Sequence, residues 1–373
     1  MNTSRRSFLR LAGTAAAGHA VSRSLLAADD RAPLPTLNHT ISSATKSARL
    51  TMLFEGRTPQ ELAAWQQRFS QKMLELIGPC APPVRWTART LSTATFPDFI
   101  REELLLSADG APPLPVYLLR PAATRAEKFP VVLCLHGHGT EGHDSVAGRD
   151  DIPEVAEQIK KYNYDYARTL VRRGYVTVAP CFTPFGRRVD ASIKTLQRDP
   201  CAMAFIRLAV LGRTLLAENI RDARWALSYA LSRPEARADR AGCVGLSYGG
   251  RMTMMTAAFD ARVKVAVISG AQNFYEERLI RDQFCGGQVI PGMMEYGDIP
   301  EIGSLIAPRP AIWETGDADI GMDPAGKVVI RERLERAYAA AGKPAALSFH
   351  SFKGAHVWDG TTAVPLLARE LQS

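Results

Sequence analysis

The sequence predicts an α/β fold: a mostly parallel central sheet with helices on both faces, extended at the N-terminus by a helix and a β-hairpin. Three observations carry that prediction. After Pro130, short apolar runs alternate with longer amphipathic ones, as expected of strands buried on both faces and joined by helices. The apolar run 241–246 leads through Gly245-Leu246-Ser247-Tyr248-Gly249-Gly250 into the helix-compatible stretch 251–259, which reads as strand, sharp turn and helix. Residues able to do chemistry follow directly after several strand-like runs, where sheets of this kind bind their ligands.

With 373 residues, 46% hydrophobic and 23% charged, one large domain with N-terminal additions fits better than two equal domains. The formal charge is +8, but Arg5, Arg6, Arg10 and Arg23 lie among the first 28 residues, which hold no acid; +4 remains for the rest. That remainder has no basic run or basic amphipathic helix, so nucleic acid is not an expected partner. The opening Ser4-Arg5-Arg6-Ser7-Phe8-Leu9-Arg10 and the mild Ala/Gly-rich run 11–20 resemble a twin-arginine export signal. We therefore divide the chain into a signal at 1–28, an arm and helix at 29–83, and a catalytic domain at 84–373. The apolar part of the signal is too short for a permanent membrane span. The implied partner is the twin-arginine export machinery, and the implied location is the periplasm or the extracellular space.

The elements follow in order. Residues 29–57 are polar, with Pro33 and Pro35, and read as a linker or an arm wrapping the domain. Thr58-Pro59-Gln60-Glu61 is a capping box with proline at the first helical position. Leu62, Phe69, Met73 and Leu76 recur at helical spacing and define a buried face, and Gly78-Pro79 stops the helix. Runs 100–106 and 116–119 flank the turn-rich segment 107–115, which reads as a hairpin with an enlarged loop. Strands are expected at 131–135, 175–179, 241–246, 263–268, 311–314 and 346–350. Helices are expected at 156–173, 215–231, 328–341 and 364–371. The long segment 273–302 carries Phe274, Tyr275, Phe284, Met293, Met294 and Tyr296, expected to wall a pocket or to pack as an insert.

Six cysteines, Cys80, Cys134, Cys181, Cys201, Cys243 and Cys285, show neither a C-x-x-C pair nor zinc spacing. Buried free thiols are expected, with one disulfide among Cys80, Cys201 and Cys285 left open. His136, His138, His143 and Asp144 cluster after a strand and invite a metal reading. Four residues separate His138 from His143, however, and such spacing does not let several ligands converge from one turn. No metal and no cofactor is expected.

The serine of Gly245-Leu246-Ser247-Tyr248-Gly249 needs neighbours without side chains if strand and helix close tightly around it. A serine hydroxyl is barely ionised near neutral pH, so a nucleophilic Ser247 needs a base. His356 fits, in the small-residue loop Lys353-Gly354-Ala355-His356 after the last strand, whereas His350 lies within that strand. A catalytic histidine in turn needs a carboxylate to fix its tautomer. Asp319, in Thr315-Gly316-Asp317-Ala318-Asp319, follows the strand at 311–314, with Asp317 and Asp323 as fallbacks.

These motifs, with Leu135-His136-Gly137-His138-Gly139, Tyr162-Asn163-Tyr164-Asp165-Tyr166, Gly174-Tyr175-Val176 and Ile306-Ala307-Pro308-Arg309-Pro310, resemble the dienelactone-hydrolase-like and acetyl-xylan-esterase-like group of α/β-hydrolases. The resemblance spans roughly residue 129 to the C-terminus. It implies a nucleophile elbow at Ser247 with the chain order Ser247, Asp319, His356. It also implies an oxyanion hole from the backbone N–H groups of His138 and Tyr248, and cofactor-free ester hydrolysis through an acyl-enzyme; the expected export would bring such an esterase to acylated sugars or polysaccharides. Two departures stand out. Dienelactone hydrolases proper carry cysteine where this chain has Ser247, and glucuronoyl esterases place arginine where it has Tyr248. A serine peptidase or an acyltransferase could use the same three residues, and a non-catalytic binding protein on this fold is the reading from another class.

Overall fold

The computed structural model describes residues 36–122, 128–192, 199–281 and 284–373; the expected export signal lies outside them. Nine strands form one sheet: β1 (Thr87–Thr95), β2 (Phe99–Ala108), β3 (Ala111–Pro121), β4 (Phe129–Leu135), β5 (Val176–Pro180), β6 (Ala236–Leu246), β7 (Val263–Ser269), β8 (Ala311–Gly316) and β9 (Leu347–Phe352). Their spatial order is β1-β2-β3-β5-β4-β6-β7-β8-β9. The first three pair antiparallel, β3 meets β5 antiparallel, and every later pairing is parallel. The expected mixed sheet with a parallel centre is present.

Alternation along β4 shows why both faces need cover. Val131, Leu133 and Leu135 enter one apolar core, while Val132 and Cys134 enter the other, because successive strand side chains point to opposite faces. The first core is closed by α2 (Pro59–Ile77), α6 (Leu215–Leu231) and α7 (Tyr248–Phe259), with Phe69, Trp225 and Met252 fully buried. The second is closed by α4 (Tyr166–Val171) and α11 (Ala363–Leu371), through Leu170 and Leu367. Further helices among the described residues are α1 (Leu37–Lys46), α3 (Pro153–Tyr162), α5 (Pro200–Val210), α8 (Tyr275–Ile280), α9 (Ile299–Ser304) and α10 (Pro324–Ala340), with a single short turn of helix at His143–Val146.

Helix α2 begins as its sequence dictates: Thr58 accepts from the Glu61 amide, and the Glu61 carboxylate accepts from the Thr58 amide. Its buried face is Leu62, Trp65, Phe69, Met73 and Ile77. Leu76, expected on that face, is only half-buried, because the four-residue step from Met73 reaches Ile77 instead.

Two expectations change. The hairpin loop is not enlarged: Asp109-Gly110 alone turns the chain, with Gly110 at φ +75°, and pairing continues from Ala108 opposite Ala111. Pro112 and Pro113 are tolerated because β5 pairs with β3 only from Val116 onward, so their missing N–H groups are not needed on that side. The helix expected over 156–173 is two helices, α3 and α4, separated at Asn163, which is left-handed with φ +53°. Asparagine accepts that conformation more readily than most residues, and its Nδ2 donates to the Trp358 carbonyl at 3.0 Å. The break turns Tyr164 and Tyr166 toward the sheet. Among the described residues no single helix is long and apolar enough to cross a membrane.

Candidate active site

Ser247 sits between β6 and α7 with φ +65° and ψ −122°, backbone that non-glycine residues rarely adopt and that stores local strain. Its amide donates to the Ser269 carbonyl at 2.9 Å. The flanking glycines are sterically required. A β-carbon on Gly249 would lie 1.9 Å from the Leu135 carbonyl oxygen, one on Gly245 2.3 Å from that of Gly249, and one on Gly250 2.3 Å from that of Ser269. Backbone, which cannot step aside, is the obstacle in each case. Tyr248 opens α7, and the first amides of a helix have no acceptor within it. Its side chain is buried, with the hydroxyl accepting from Asn219 Nδ2 at 2.8 Å and donating to the Gly287 carbonyl at 3.2 Å.

The loop after β4 lies against the serine. A β-carbon on Gly137 would come 3.1 Å from Ser247 Cβ and 2.0 Å from the Tyr164 hydroxyl, so only glycine lets the loop approach so closely. His136 fixes the loop from below. Phe182 donates its amide to His136 Nε2 at 2.9 Å, which leaves the proton on Nδ1 to be donated to the Gly137 carbonyl at 2.8 Å. Burial pushes this imidazole down to about 4, so it stays neutral. Tyr166 donates its hydroxyl to the Leu135 carbonyl, a further anchor. His143 packs its buried ring against Tyr117, and the His138 ring turns to Cys285 at 3.0 Å. The histidines of this loop therefore do not converge on one ligand position.

Asp319 and His356 meet across the loops after β8 and β9. Asp319 is buried, its Oδ2 lies 2.7 Å from His356 Nδ1, and its Oδ1 accepts from the Gly321 amide at 3.0 Å. The fallback acids are engaged elsewhere: Asp317 accepts from the Gly354 amide at 2.9 Å, and Asp323, at the N-cap position of α10 without a side-chain cap bond, lies 3.4 Å from Arg281. His350 pairs with Asp359 at 3.0 Å. The loop of His356 is tied back to the break between α3 and α4, where the Trp358 amide donates to the Tyr162 carbonyl at 2.9 Å.

Ser247, Tyr248, His138, Asp319 and His356 all line one cavity of about 310 Å³. The opposite wall comes from the segment 273–302, as the sequence leads one to expect, but from its polar residues rather than its aromatic ones. Asn273, Glu277, Arg278, Arg281 and Gln288 form it, with Arg251 reaching in from α7. Arg251 is 1% exposed, donates to the Asn273 carbonyl at 2.8 Å, and remains a cation although burial lowers it to about 10. The aromatic residues of 273–302 do not line this cavity. Tyr275 and Met293 are core, Phe274 lines a neighbouring groove, and Met294 and Tyr296 face α1. The apolar face of the segment turns to the core, as burial demands, and its polar face is left for the cavity.

The chain is similar to several known proteins. Over 277 residues the chain is 28% identical to "Putative hydrolase YtaP" of Bacillus subtilis (strain 168), covering 73% of this chain and 87% of that protein. A candidate acetyl xylan esterase of Bacteroides fragilis NCTC 9343 superposes with a TM-score of 0.71 at 17% identity, over 92% of this chain and 97% of that one. A glucuronoyl esterase from Solibacter usitatus gives 0.61 at 16% identity, over 86% and 96%. The fold is that of the α/β-hydrolases. No family model matches the chain. The strand order β3-β5-β4-β6-β7-β8-β9 sets the elbow after a central strand, at the carboxyl ends where α/β sheets hold their ligands.

Proposed function

We propose that this chain is a serine carboxylic-ester hydrolase working through an acyl-enzyme, with Ser247 as nucleophile, His356 as base and Asp319 as its orienting acid. The observation that carries this reading is the convergence on one cavity of a strained Ser247 and a hydrogen-bonded His356–Asp319 pair. Because His356 Nδ1 is engaged by Asp319, Nε2 is the nitrogen left to take the Ser247 proton. The alkoxide then attacks the ester carbonyl, whose developing charge is held by the backbone N–H groups of His138 and Tyr248. His356 returns its proton to the departing alcohol. Water, deprotonated by the same imidazole, hydrolyses the acyl-serine through the same hole and releases the acid.

Acylated sugars are the proposed substrates. The polar wall of Asn273, Arg278, Arg281 and Gln288 suits hydroxyl-rich groups, and the similar solved structures are named as acetyl xylan and glucuronoyl esterases. Arg5-Arg6 and the segment behind them support a site of work outside the cytoplasm. Fractionation of a host lacking twin-arginine translocation should then find it retained, and unchanged export would remove that part.

The deciding experiment is hydrolysis of a nitrophenyl acetate. Ser247→Ala should lose activity by on the order of 10⁴-fold or more while keeping its circular dichroism and Tm; retained turnover would sink the assignment. A screen of acetylated sugars against aryl and feruloyl esters should show the highest kcat/KM for the acetylated sugars.

A further inference from the structure

A second constellation lies beside the cavity, on residues the ester chemistry does not use as acids or bases. His138 Nε2 is 3.0 Å from Cys285 Sγ, and these two atoms and Cys201 Sγ all lie within 4.8 Å of one another. The three come from separate parts of the chain: the loop after β4, the first turn of α5, and the segment between α8 and α9. Their approach is built into the backbone. Gly286, next to Cys285, packs so closely on Cys201 that a β-carbon there would lie 2.4 Å from the Cys201 carbonyl oxygen. The Gly287 amide donates to Cys285 Sγ at 3.3 Å, a bond that favours the thiolate.

We propose that His138, Cys201 and Cys285 form a binding site for a thiophilic divalent ion such as Zn²⁺, at the rim of the active-site cavity. Two thiolates and a neutral imidazole are a ligand set that soft and borderline metals select. Binding releases the thiol protons to solvent and leaves the site electrically neutral, since two thiolate charges balance the ion. Zinc bonds of about 2.3 Å to sulfur and about 2.0 Å to nitrogen place tetrahedral ligand atoms roughly 3.5–3.8 Å apart. The His138–Cys285 approach therefore opens by about half an ångström on binding, again from those bond lengths. His138 is exposed and lines the cavity, so water reaches the fourth position. An ion there would pin the loop that carries the proposed first oxyanion donor.

The test uses the full chain, reduced and desalted, titrated with Co²⁺ and then with Zn²⁺. A thiolate-to-cobalt charge-transfer band should grow to saturation at one ion per chain and bleach when Zn²⁺ is added. Cys201→Ser and Cys285→Ser should each lose the band, and Cys80→Ser should keep it. Ser247→Ala should keep it too, so failure of the esterase reading and failure of the ion site are told apart. No band in the native chain, a band unchanged in Cys201→Ser/Cys285→Ser, or a Cys201–Cys285 disulfide in the purified protein would each overturn the proposal.

Discussion

The two walls of the cavity are built on different principles. On one side, Ser247 and Tyr248 are held by glycines packed backbone against backbone behind them, with a carbonyl oxygen 1.9 Å from where a Gly249 β-carbon would sit. On the other, Asn273, Glu277, Arg278, Arg281 and Gln288 reach in as side chains from a segment whose apolar face is committed elsewhere. Glu277 and Arg281 pair at 3.5 Å, and Arg281 also meets Asp323. The first wall can be altered only at the cost of the fold. The second can exchange side chains freely, as expected where specificity is tuned and chemistry is fixed.

Replacements can break this contrast, and the largest effect belongs to the acid. Asp319→Asn should lower kcat on the order of 10⁴-fold, whereas Asp317→Asn should change it by less than about tenfold, because only Asp319 holds the histidine tautomer. Steady-state kinetics on a nitrophenyl acetate decides it, and equal losses would show that the wrong acid is assigned.

Next comes the steric half of the comparison. Gly249→Ala should destabilise the chain by more than about 4 kcal/mol, the range of severe backbone conflict. At Gly287, next to Gln288 of the second wall, the nearest atoms to a β-carbon belong to the Tyr248 side chain, from 3.1 Å. Gly287→Ala should therefore cost about 1 kcal/mol. Chemical denaturation compares the two, and similar losses would erase the distinction between the walls.

A third prediction concerns Glu314, fully buried on β8 behind the catalytic side. Burial, helped by the nearby Asp359 carboxylate, pushes its carboxyl up to about 8 from an ordinary 4.5. Between those values the folded chain keeps a proton that the unfolded chain has lost. Its contribution to stability is therefore present at low pH and falls as pH rises through that window, with a slope approaching about 1.4 kcal/mol per pH unit. Glu314→Gln should flatten that part of the stability profile, and an unchanged slope would show that Glu314 does not titrate there. The smallest effect is expected on the polar wall. Arg281→Ala should raise KM for an acetylated sugar by less than about tenfold and leave kcat intact, as loss of uniform binding does; a kcat effect would make that wall part of the chemistry.

The same contrast explains what could be read from sequence. Gly245, Gly249 and Gly137 leave a signal because only one residue type fits, and the order Ser247, Asp319, His356 follows from the sheet topology. The spacing Gly316-x-x-Asp319 favours Asp319 over Asp317, and in the folded chain it is Asp319 that lies against His356 while Asp317 accepts from the Gly354 amide. Less could be read where a contact joins distant segments. The break at Asn163 depends on Trp358, nearly two hundred residues away, and local apolar spacing across 156–173 continues undisturbed. The tight hairpin was masked by Pro112 and Pro113, whose tolerance depends on where β5 stops. The segment 273–302 could be read as a wall of the cavity, but not which of its residues face it: its aromatic residues are conspicuous in sequence, yet they are the ones that pack on the core. Cys201 and Cys285 approach only in the folded chain.

The most direct measurement is reaction of the intact protein with a fluorophosphonate, followed by intact mass and peptide mapping. The account predicts one adduct per chain, on Ser247, absent in Ser247→Ala and slowed on the order of 10³-fold or more in His356→Ala. No adduct, or an adduct on another residue, would contradict it.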